Sequence, residues 1–474
     1  MLTGRKNEIE RLKAAYKSQY SEFVAVTGRR RIGKTFLIRE FFNYKFTFQH
    51  SGVANQKTRL QLRDFKQSLE KYGLKKCHVP QDWFDAFYML ENLIETSKQK
   101  RKVIFIDEMP WLDAPKSNFV SALEHFWNAF ASARKDVLLI ICGSATSWII
   151  NKIYKNYGGL HNRVTCRINL QPFTLSECEQ FCKASGIAAS RLEILQAYMI
   201  FGGVPYYWTK FEKTKTVAQN IDYLFFNENA ILKDEFRDMY SSLFKNPEAY
   251  LKIIETLALK KAGMTREELT SSSQHPSNGT LTRILEDLQS CGFIRKYNFL
   301  GLKENKALFQ LIDNFTLFYC RFLKDGKYNE ENFWSSSSGK TVKSVWEGLA
   351  FERVCLLHVP QIKFALGISG ISANVFSWYA KNDEVLGAGT QIDMLIDRAD
   401  NAVNICEMKF WNSEFLITKD YEKNLRNKIS RFQLQTKTPK TVRLVLITVL
   451  GLKNNIYSDI IQNTLTINDL FKEL

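Results

Sequence analysis

The sequence predicts an α/β protein of several domains, because residues 1–220 alternate short apolar runs with segments of helical periodicity. The chain has 474 residues, of which 45% are hydrophobic and 24% charged, so its composition is globular and it is too long for one core. Helix-length segments between strands require crossover connections, and the predicted sheet is therefore largely parallel. The five predicted strands are FVAVT (23–27), KFTFQ (45–49), KVIFID (102–107), DVLLIIC (136–142) and VTCRINL (164–170).

A glycine-rich motif, GRRRIGKT (28–35), follows the first strand and opens a helical segment. In this context the backbone amides and the helix N-terminus are expected to surround a β-phosphate, with Lys34 on the β/γ-phosphates and Thr35 on Mg²⁺. The arginines inside the loop are required only for their amides, and their side chains either point to solvent or approach the phosphates. The predicted ATP-binding residues here are Gly28, Arg29, Arg30, Arg31, Ile32, Gly33, Lys34, Thr35 and Phe36.

The third and fourth predicted strands end in polar residues that suit nucleotide hydrolysis. Asp107 at the end of KVIFID would orient the Mg²⁺ hydration shell, and Glu108 would polarise the attacking water. The next strand runs into Gly143 and Ser144, and we expect Ser144 to sense the γ-phosphate.

These motifs together resemble the archaeal-type ATPases, a group related to the AAA and STAND P-loop proteins. The resemblance rests on LTGRKNE (2–8), DEMPWLD (107–113), Gly143-Ser144, LQPF (170–173) and GGVP (202–205). It implies an ATPase with a five-stranded parallel sheet and a helical lid, covering residues 1–220. Gly4 and Arg5 would lie near the adenine, and Pro205 would lie in the lid near the nucleotide.

Arg163 occupies the position where such proteins often place an arginine at a subunit or domain boundary. Two interpretations stay open for it. As an arginine finger it would stabilise the charge of the transition state, within one chain or between copies of a homo-oligomer. Alternatively, it pairs with an acid or a phosphate at the surface.

Residues 221–335 are predicted to be mostly helical and to contain a winged helix-turn-helix at 248–297. The third helix of that module would expose Thr280, Thr282, Arg283, Glu286, Asp287 and Gln289, a face with one basic residue. Arg295, Lys296 and Lys303 in the wing would supply further positive charge. Because phosphate contacts require cations, both direct DNA reading and a lid-supporting role within the protein stay open. Residues 335–339, SSSSG, are predicted to form a short loop.

The C-terminal part, residues 341–474, contains three carboxylates and a lysine in helix and strand contexts. Glu352 lies in the helix VWEGLAFERVCLLH, Asp393 in the strand QIDMLID, and Glu407 and Lys409 in the strand VNICEMKF. Period-two geometry puts Glu407 and Lys409 on one side of their strand, and a hairpin at 398–401 would set Asp393 beside Glu407. Two adjacent carboxylates suit Mg²⁺, and the lysine can position the water that attacks a phosphodiester.

This constellation resembles the PD-(D/E)xK nuclease superfamily, with Ile392-Asp393 in place of Pro-Asp. The resemblance implies a restriction-endonuclease-like α/β domain at 341–474, with catalytic residues Glu352, Asp393, Glu407 and Lys409. Asp393 and Glu407 would be the metal ligands, and Gln391 and Glu347 are candidate supporting residues. Eight Lys/Arg residues between positions 419 and 443 would track a nucleic-acid backbone or form a solvated helix face.

Net charge and cysteine usage give two further expectations, one for the partner and one for the state of the thiols. The net charge of +17 favours a phosphate-rich partner, ATP or ADP together with DNA or RNA, although a solvated surface would give the same balance. The nine cysteines include no CxxC pair, which predicts reduced, mostly buried thiols and no structural zinc. No signal peptide and no membrane span are predicted, and we expect a cytoplasmic protein.

The sequence therefore predicts a Mg²⁺-dependent ATPase whose nucleotide state controls a nuclease-like domain. Two alternatives stay open. The first is a nucleotide-dependent switch in which the nuclease-like domain only docks a partner, and the second is a DNA-binding regulator that acts through the winged helix.

Overall fold

The computed structural model describes residues 2–75, 77–144, 146–155, 158–244, 246–298, 300, 307–328, 330–380 and 389–474. The chain divides into two compact units, Met1–Pro172 and Phe173–Leu474. The residues after 172 that were predicted as a lid belong by packing to the second unit. The predicted domain boundaries at 220 and 335 stay predictions.

The first unit is built on a five-stranded parallel sheet, as predicted. Its strand order is β2-β3-β4-β1-β5. The elements are α1 (Lys6–Lys17), β1 (Glu22–Thr27), α2 (Lys34–Phe41), β2 (Phe48–Ser51), α3 (Thr58–Lys71), α4 (Trp83–Thr96), β3 (Lys102–Asp107), α5 (Phe119–His125), β4 (Val137–Cys142), α6 (Thr146–Ile149) and β5 (Cys166–Asn169).

The central strands of this sheet form where the sequence is continuously apolar. All six residues of β4 are buried, because a central parallel strand is covered by helices on both faces. The second strand begins at Phe48, three residues later than predicted. Asn43 and Tyr44 have left-handed φ values of 47° and 59°, so the chain turns before it enters the sheet.

The order of the strands gathers the polar residues at one edge of the sheet. Strand β4 lies between β1 and β3, and the carboxyl ends of parallel strands meet at the same edge. The glycine-rich loop after β1, the end of β3 and the segment after β4 are therefore neighbours. This edge is the position that an open α/β sheet provides for a ligand.

The second unit begins with a helical region that leads into a small antiparallel sheet of order β6-β8-β7. Within residues 248–297 the elements follow the predicted order of helix, helix, turn, helix and strand. The elements are α7 (Leu175–Ser185), α8 (Arg191–Phe201), α9 (Pro205–Trp208), α10 (Val217–Phe225), α11 (Glu235–Leu243), α12 (Pro247–Ala258), β6 (Met264–Thr265), α13 (Arg266–Ser273), α14 (Gly279–Ser290), β7 (Ile294–Tyr297), β8 (Leu308–Leu311), α15 (Asn314–Phe318) and α16 (Phe333–Ser336).

The predicted loop at 335–339 is wrong at its start, because Ser335 and Ser336 belong to α16. The carboxylate of Asp222 accepts hydrogen bonds from the amides of Trp334 (2.7 Å) and Ser335 (3.0 Å). A carboxylate at this position satisfies the amides that have no partner within the helix. Composition alone did not reveal this cap, since Asp222 lies on α10.

The remainder of the second unit contains a mixed five-stranded sheet of order β15-β13-β11-β10-β9. Strands β9, β10 and β11 are antiparallel, whereas β11, β13 and β15 are parallel. The elements are α17 (Thr341–Leu357), α18 (Val359–Ala365), β9 (Ala373–Ala380), β10 (Thr390–Arg398), β11 (Ala402–Lys409), β12 (Phe415–Leu416), α19 (Lys419–Thr436), β13 (Thr441–Thr448), β14 (Leu452–Lys453), β15 (Asn463–Leu465) and α20 (Ile467–Leu470).

Two apolar layers cover this mixed sheet. One face, which includes Cys406 and Met408, belongs to the core that contains α17. The opposite face, which includes Ile405, belongs to a core with Leu425 and Phe432 of α19. The predicted hairpin between β10 and β11 is present, but its turn occupies residues 399–401 because Arg398 still belongs to β10, and Asn401 adopts the left-handed φ of 60° that such a turn requires.

All nine cysteines are free, and most are buried, which confirms the prediction of reduced thiols. Among the helices that the structure describes, none has the length and apolar character needed to cross a membrane.

Candidate functional site

The glycine-rich loop has a backbone that only glycine permits at its first position. Gly28 has a φ of 136°, and a Cβ there would lie 2.4 Å from the carbonyl oxygen of Leu170. Gly33, directly before α2, has a φ of 88°. Arg31 is also left-handed, with a φ of 69°. The loop therefore curls between β1 and the N-terminus of α2, which is the geometry that directs amides at a phosphate.

Lys34 lies inside this curl. Its ammonium group donates hydrogen bonds of 2.9 Å to the carbonyl oxygens of Gly28 and Arg29, and its side chain is buried. The neighbouring side chains differ in exposure. Arg29 is buried, so a solvent-facing orientation is wrong for this residue, whereas Arg30 and Arg31 are half-buried and Phe36 is exposed.

Thr35 and Asp107 meet across the loop, as their predicted metal-binding roles require. The Thr35 hydroxyl donates to the Asp107 carboxylate at 2.8 Å. Asp107 also accepts from the Glu108 amide at 2.9 Å and from the Cys142 thiol at 2.5 Å. Burial, reinforced by the charge of Asp107, raises the pKa of Cys142 well above its usual value, so the thiol stays a donor. Cys142 ends β4 beside Asp107, and sequence reasoning missed this role.

Glu108 is held in place by Ser144. The Ser144 hydroxyl donates to one carboxylate oxygen of Glu108 at 2.6 Å, and the Ser144 amide lies 3.3 Å from the other. Glu108 has a left-handed φ of 44°, which turns the chain sharply after β3. A non-glycine residue in this region is uncommon and is often found at functional sites.

Arg5 contacts the glycine-rich loop from the start of the chain. It is buried and donates to the carbonyl oxygens of Ile32 (3.3 Å) and Gln171 (2.6 Å). Gly4 and Arg5 both have left-handed φ values, 67° and 62°. The structure therefore brings Arg5 to the loop, and the approach of Gly4 and Arg5 to an adenine stays a prediction.

Two further predicted residues are Arg163 and Pro205. Arg163 is exposed on a turn, and its Nε donates to the Gly159 carbonyl at 3.3 Å. Pro205 is the first residue of α9 in the second unit. Their roles as an arginine finger and a lid residue stay predictions.

In the second unit, Glu407 is surrounded by cations and a phenol. Its carboxylate lies 3.1 Å from the Lys409 ammonium and 2.7 Å from the Lys428 ammonium, and it accepts from the Tyr421 hydroxyl at 2.8 Å. Burial alone would raise the pKa of Glu407, but the two lysines outweigh it and lower the pKa to about 2. Lys409 and Glu407 thus share one side of β11, as predicted, whereas Tyr421 and Lys428 on α19 were not anticipated.

Glu352 and Asp393 share a different cation, Lys261. The Lys261 ammonium lies 2.7 Å from the Glu352 carboxylate and 3.8 Å from that of Asp393, which also accepts from Gln391 at 2.6 Å. Burial, and then the charge of Asp393, raise the pKa of Glu352. Glu347 is instead hydrogen-bonded to Gln196 at 3.5 Å.

Asp393 and Glu407 therefore have different polar partners, although they lie on neighbouring strands. Met394 pairs with Cys406 in the β10–β11 ladder, which sets the register that was predicted. Among the described residues, no group of three or more His, Cys, Asp or Glu side chains is arranged to hold a metal ion. The joint metal site of Asp393 and Glu407 stays a prediction.

The wing predicted for the middle region is less basic at its surface than the sequence suggests. Arg295 packs on the Tyr297 ring, 4.3 Å from its centroid, and donates to Gln310 at 2.7 Å. Arg295 is half-buried, and burial lowers its pKa to about 10. Asp287 accepts from the Tyr250 hydroxyl at 2.6 Å, so it is not a free residue of the recognition face. Lys303 lies outside the described residues.

Comparison with known families agrees with the geometry of the first unit. Residues 2–211 match the family described as an ATPase domain predominantly from Archaea. This part of the chain, the ATPase domain, is therefore similar to the archaeal-type ATPase domains. The ATPase domain accordingly binds nucleotide and hydrolyses ATP.

The chain is also similar to one relative in sequence and to two solved structures. An uncharacterized protein of Methanocaldococcus jannaschii is 23% identical over 389 residues, which cover 81% of this chain and 83% of that protein. The Walker-type ATPase of Pyrococcus abyssi has a TM-score of 0.49 at 15% identity, covering 68% of this chain and 96% of that one. The ORC2 protein of Aeropyrum pernix, in complexes with ADPNP and ADP, has a TM-score of 0.38 at 14% identity, with coverages of 67% and 92%. At these scores, the two structures carry no argument about the function of this chain.

Proposed function

We propose that the ATPase domain uses Mg²⁺ and that its nucleotide state controls a nuclease-like region at 341–474 that processes DNA or RNA. The observation that carries the ATPase part is the 2.8 Å hydrogen bond between Thr35 and Asp107. It joins the two halves of the predicted metal site, which lie 72 residues apart in sequence. A hydroxyl beside a carboxylate is the oxygen donor set that Mg²⁺ prefers next to phosphates.

In the proposed reaction, Lys34 transfers its hydrogen bonds from two loop carbonyls to the β/γ-phosphates of ATP. The loop amides and the N-terminus of α2 bind the same phosphates. Bound Mg²⁺ would supply positive charge that offsets the developing negative charge of the phosphoryl group. Glu108, oriented by Ser144, accepts a hydrogen bond from the attacking water and aligns it with the γ-phosphorus.

The nuclease-like part is supported by the order of elements and by the carboxylates. A helix with Glu352 precedes three antiparallel strands that carry Asp393, Glu407 and Lys409, in the chain order that the resemblance requires. Lys428 and Lys409 lower the pKa of Glu407 to about 2, so it is ionised at neutral pH, and a divalent cation would bind it by displacing a lysine. The three-helix region of α12–α14 with its small sheet is proposed to be a winged helix.

A specific observation also favours the alternative of a nucleotide-dependent switch with an inactive docking domain. Each predicted nuclease carboxylate is already paired with a lysine, Glu352 and Asp393 with Lys261, and Glu407 with Lys409 and Lys428. A domain that has lost catalysis could retain such closed pairs.

The test uses Lys34→Ala beside Lys45→Ala, an exposed lysine of the same unit, as the matched control. We expect Lys34→Ala to reduce phosphate release by about 100-fold or more, because the loop then lacks its charge for the β/γ-phosphates. Nucleic-acid cleavage with Mn²⁺ is measured in parallel. If cleavage and nucleic-acid affinity were the same in both variants with and without ATP, control by nucleotide would be excluded. Cleavage that is absent under all conditions would favour the docking domain.

A further inference from the structure

The turn between α12 and β6, residues 259–263, reaches the Glu352–Asp393 carboxylate pair from the middle region. The Lys261 ammonium lies 2.7 Å from each carboxylate oxygen of Glu352 and 3.8 Å from Asp393. Lys261 and Glu352 are 91 residues apart in sequence, so this contact is a product of tertiary packing.

The backbone of the same turn is also held by hydrogen bonds. The carbonyl oxygen of Lys261 accepts from Gln310 at 2.7 Å and from Arg353 at 2.5 Å. The Tyr297 hydroxyl donates to the next carbonyl oxygen, that of Ala262. Residues from β7, β8 and α17 thus hold the backbone of this turn, while the Lys261 ammonium contacts the carboxylate pair.

The exposure of the three charged groups is unequal, which determines what happens when the contact opens. The side chain of Lys261 is 47% exposed, whereas those of Glu352 and Asp393 are 11% and 28% exposed. The amine can leave into water at little cost. The two carboxylates, which are less exposed, would then lose this cation, and a poorly solvated charge without a partner is unfavourable. A metal ion and the Lys261 ammonium would therefore compete for the same oxygens.

We propose that Lys261 is an autoinhibitory latch, whose ammonium closes the Glu352–Asp393 pair of the nuclease-like centre until the α12–β6 turn moves away. The latch rests on the proposed nuclease function. It adds that the middle region, through one turn, regulates access of a divalent cation to this pair.

The experiment measures cleavage of single-stranded DNA, double-stranded DNA and RNA over a series of Mn²⁺ concentrations. Lys261→Ala removes the latch, and Lys261→Arg retains a cation at the same place. Lys260→Ala is the matched control, because the adjacent Lys260 forms an exposed ion pair with Glu268 at 2.7 Å. We expect Lys261→Ala to cleave about tenfold faster than wild type and to need less Mn²⁺, whereas the other two variants behave as wild type.

The outcomes separate the latch from the function on which it rests. Cleavage by Lys261→Ala at the wild-type rate and Mn²⁺ dependence would overturn the latch and leave the nuclease in place. Slower cleavage would also overturn it, and would make Lys261 part of the catalytic machinery. If no variant cleaved any substrate, the nuclease function would fail and the inhibitory role with it. Amide hydrogen exchange at residues 259–263, expected to be faster in Lys261→Ala than in Lys260→Ala, measures the contact independently of cleavage.

Discussion

Glu108 combines three features at a single position: an acidic side chain, a left-handed backbone and a hydrogen-bonded partner. Ser144 binds both of its carboxylate oxygens, so the carboxylate has one orientation. A residue that aligns water depends on this orientation as much as on its charge. The roles of Glu108 and Ser144 can therefore be separated by substitution.

Glu108→Gln is expected to bind ATP normally but to hydrolyse it roughly 100- to 10,000-fold more slowly, because the amide cannot replace the carboxylate at the water. Ser144→Ala should reduce hydrolysis less, since it frees the orientation of Glu108 and leaves the charge. Steady-state phosphate release and equilibrium binding of ATP measure the two effects. A Glu108→Gln protein with unimpaired turnover would remove Glu108 from the reaction.

The principal residues of the nucleotide site could be predicted from spacing, because motif and strand context place Lys34, Thr35, Asp107, Glu108 and Ser144 at one sheet edge. Cys142 could not, since a cysteine at the end of an apolar strand looks like a core residue. The contacts of Lys261, Tyr421 and Lys428 also escaped prediction. Each contacts a carboxylate on another element, and a single sequence carries no signal for such a pair.

At the scale of elements, two buried contacts hold the start of the second unit. The amide of Leu175, at the N-terminus of α7, donates to His358 Nε2 at 3.1 Å, so Nδ1 carries the proton and donates to the Val354 carbonyl at 2.8 Å. Gly203, two residues before the start of α9, lies so close to Phe173 that a Cβ would be 1.8 Å from its carbonyl oxygen. Helices α7, α9 and α17 are therefore linked through single residues.

The His358 contact predicts a pH dependence of stability. Burial lowers the pKa of His358 to about 4, with a small opposing effect from its hydrogen bond to Val354. The unfolded chain, with a histidine pKa near 6.5, then binds more protons, so the stabilisation is complete above pH 6.5 and falls as pH falls towards 4. We expect a loss of about 2 kcal/mol between pH 7 and pH 5 from this residue. Urea unfolding of wild type, His358→Gln and the exposed control His161→Gln at pH 7, 6 and 5 measures it, and equal pH slopes in all three would contradict it.

Gly203→Ala is expected to destabilise the second unit by at least about 3 kcal/mol, because the methyl group would overlap the backbone of Phe173. Gly279→Ala is the matched control. A Cβ at Gly279, the first residue of α14, meets no atom within 4 Å, so the change should be neutral or slightly stabilising. Thermal unfolding of the two variants compares them. A Gly203→Ala protein as stable as Gly279→Ala would show that α9 can move away from Phe173.

The elements were more predictable than their assembly. Apolar runs marked the strands of the first sheet and β9, β10, β11 and β13, since burial requires continuous hydrophobic residues. The short strands β12, β14 and β15 have no such run and exist because neighbouring strands supply hydrogen-bond partners. Likewise, α16 forms where a serine-rich loop was expected, since its capping carboxylate comes from Asp222.

At the scale of the whole molecule, the excess positive charge provides a test of the proposed nucleic-acid partner. Lys419 and Lys423 are exposed on the first two turns of α19, on the helix that also supplies Lys428 to Glu407. Cations near a candidate nuclease site would release counterions from a bound phosphate backbone.

Replacing both lysines with glutamine is expected to weaken DNA binding and to reduce its salt dependence. The slope of log K against log salt should fall by about 0.7–0.9 for each lost phosphate contact. Lys45→Gln, an exposed lysine of the ATPase domain, serves as the control. Fluorescence anisotropy at roughly 50 to 200 mM salt, where phosphate contacts change the affinity strongly, gives the slopes. An unchanged slope would place the nucleic acid elsewhere or exclude it.

The position of β4 between β1 and β3 has a consequence for biosynthesis. Lys34 and Thr35 leave the ribosome early, and Asp107 follows, but the strand that spaces them apart ends only at Cys142. A nascent chain that stops before Val137 contains both halves of the nucleotide centre without the strand that separates them in the sheet. We therefore expect nascent chains that stop before Val137 to lack ATP hydrolysis, because the strand between β1 and β3 is missing from them.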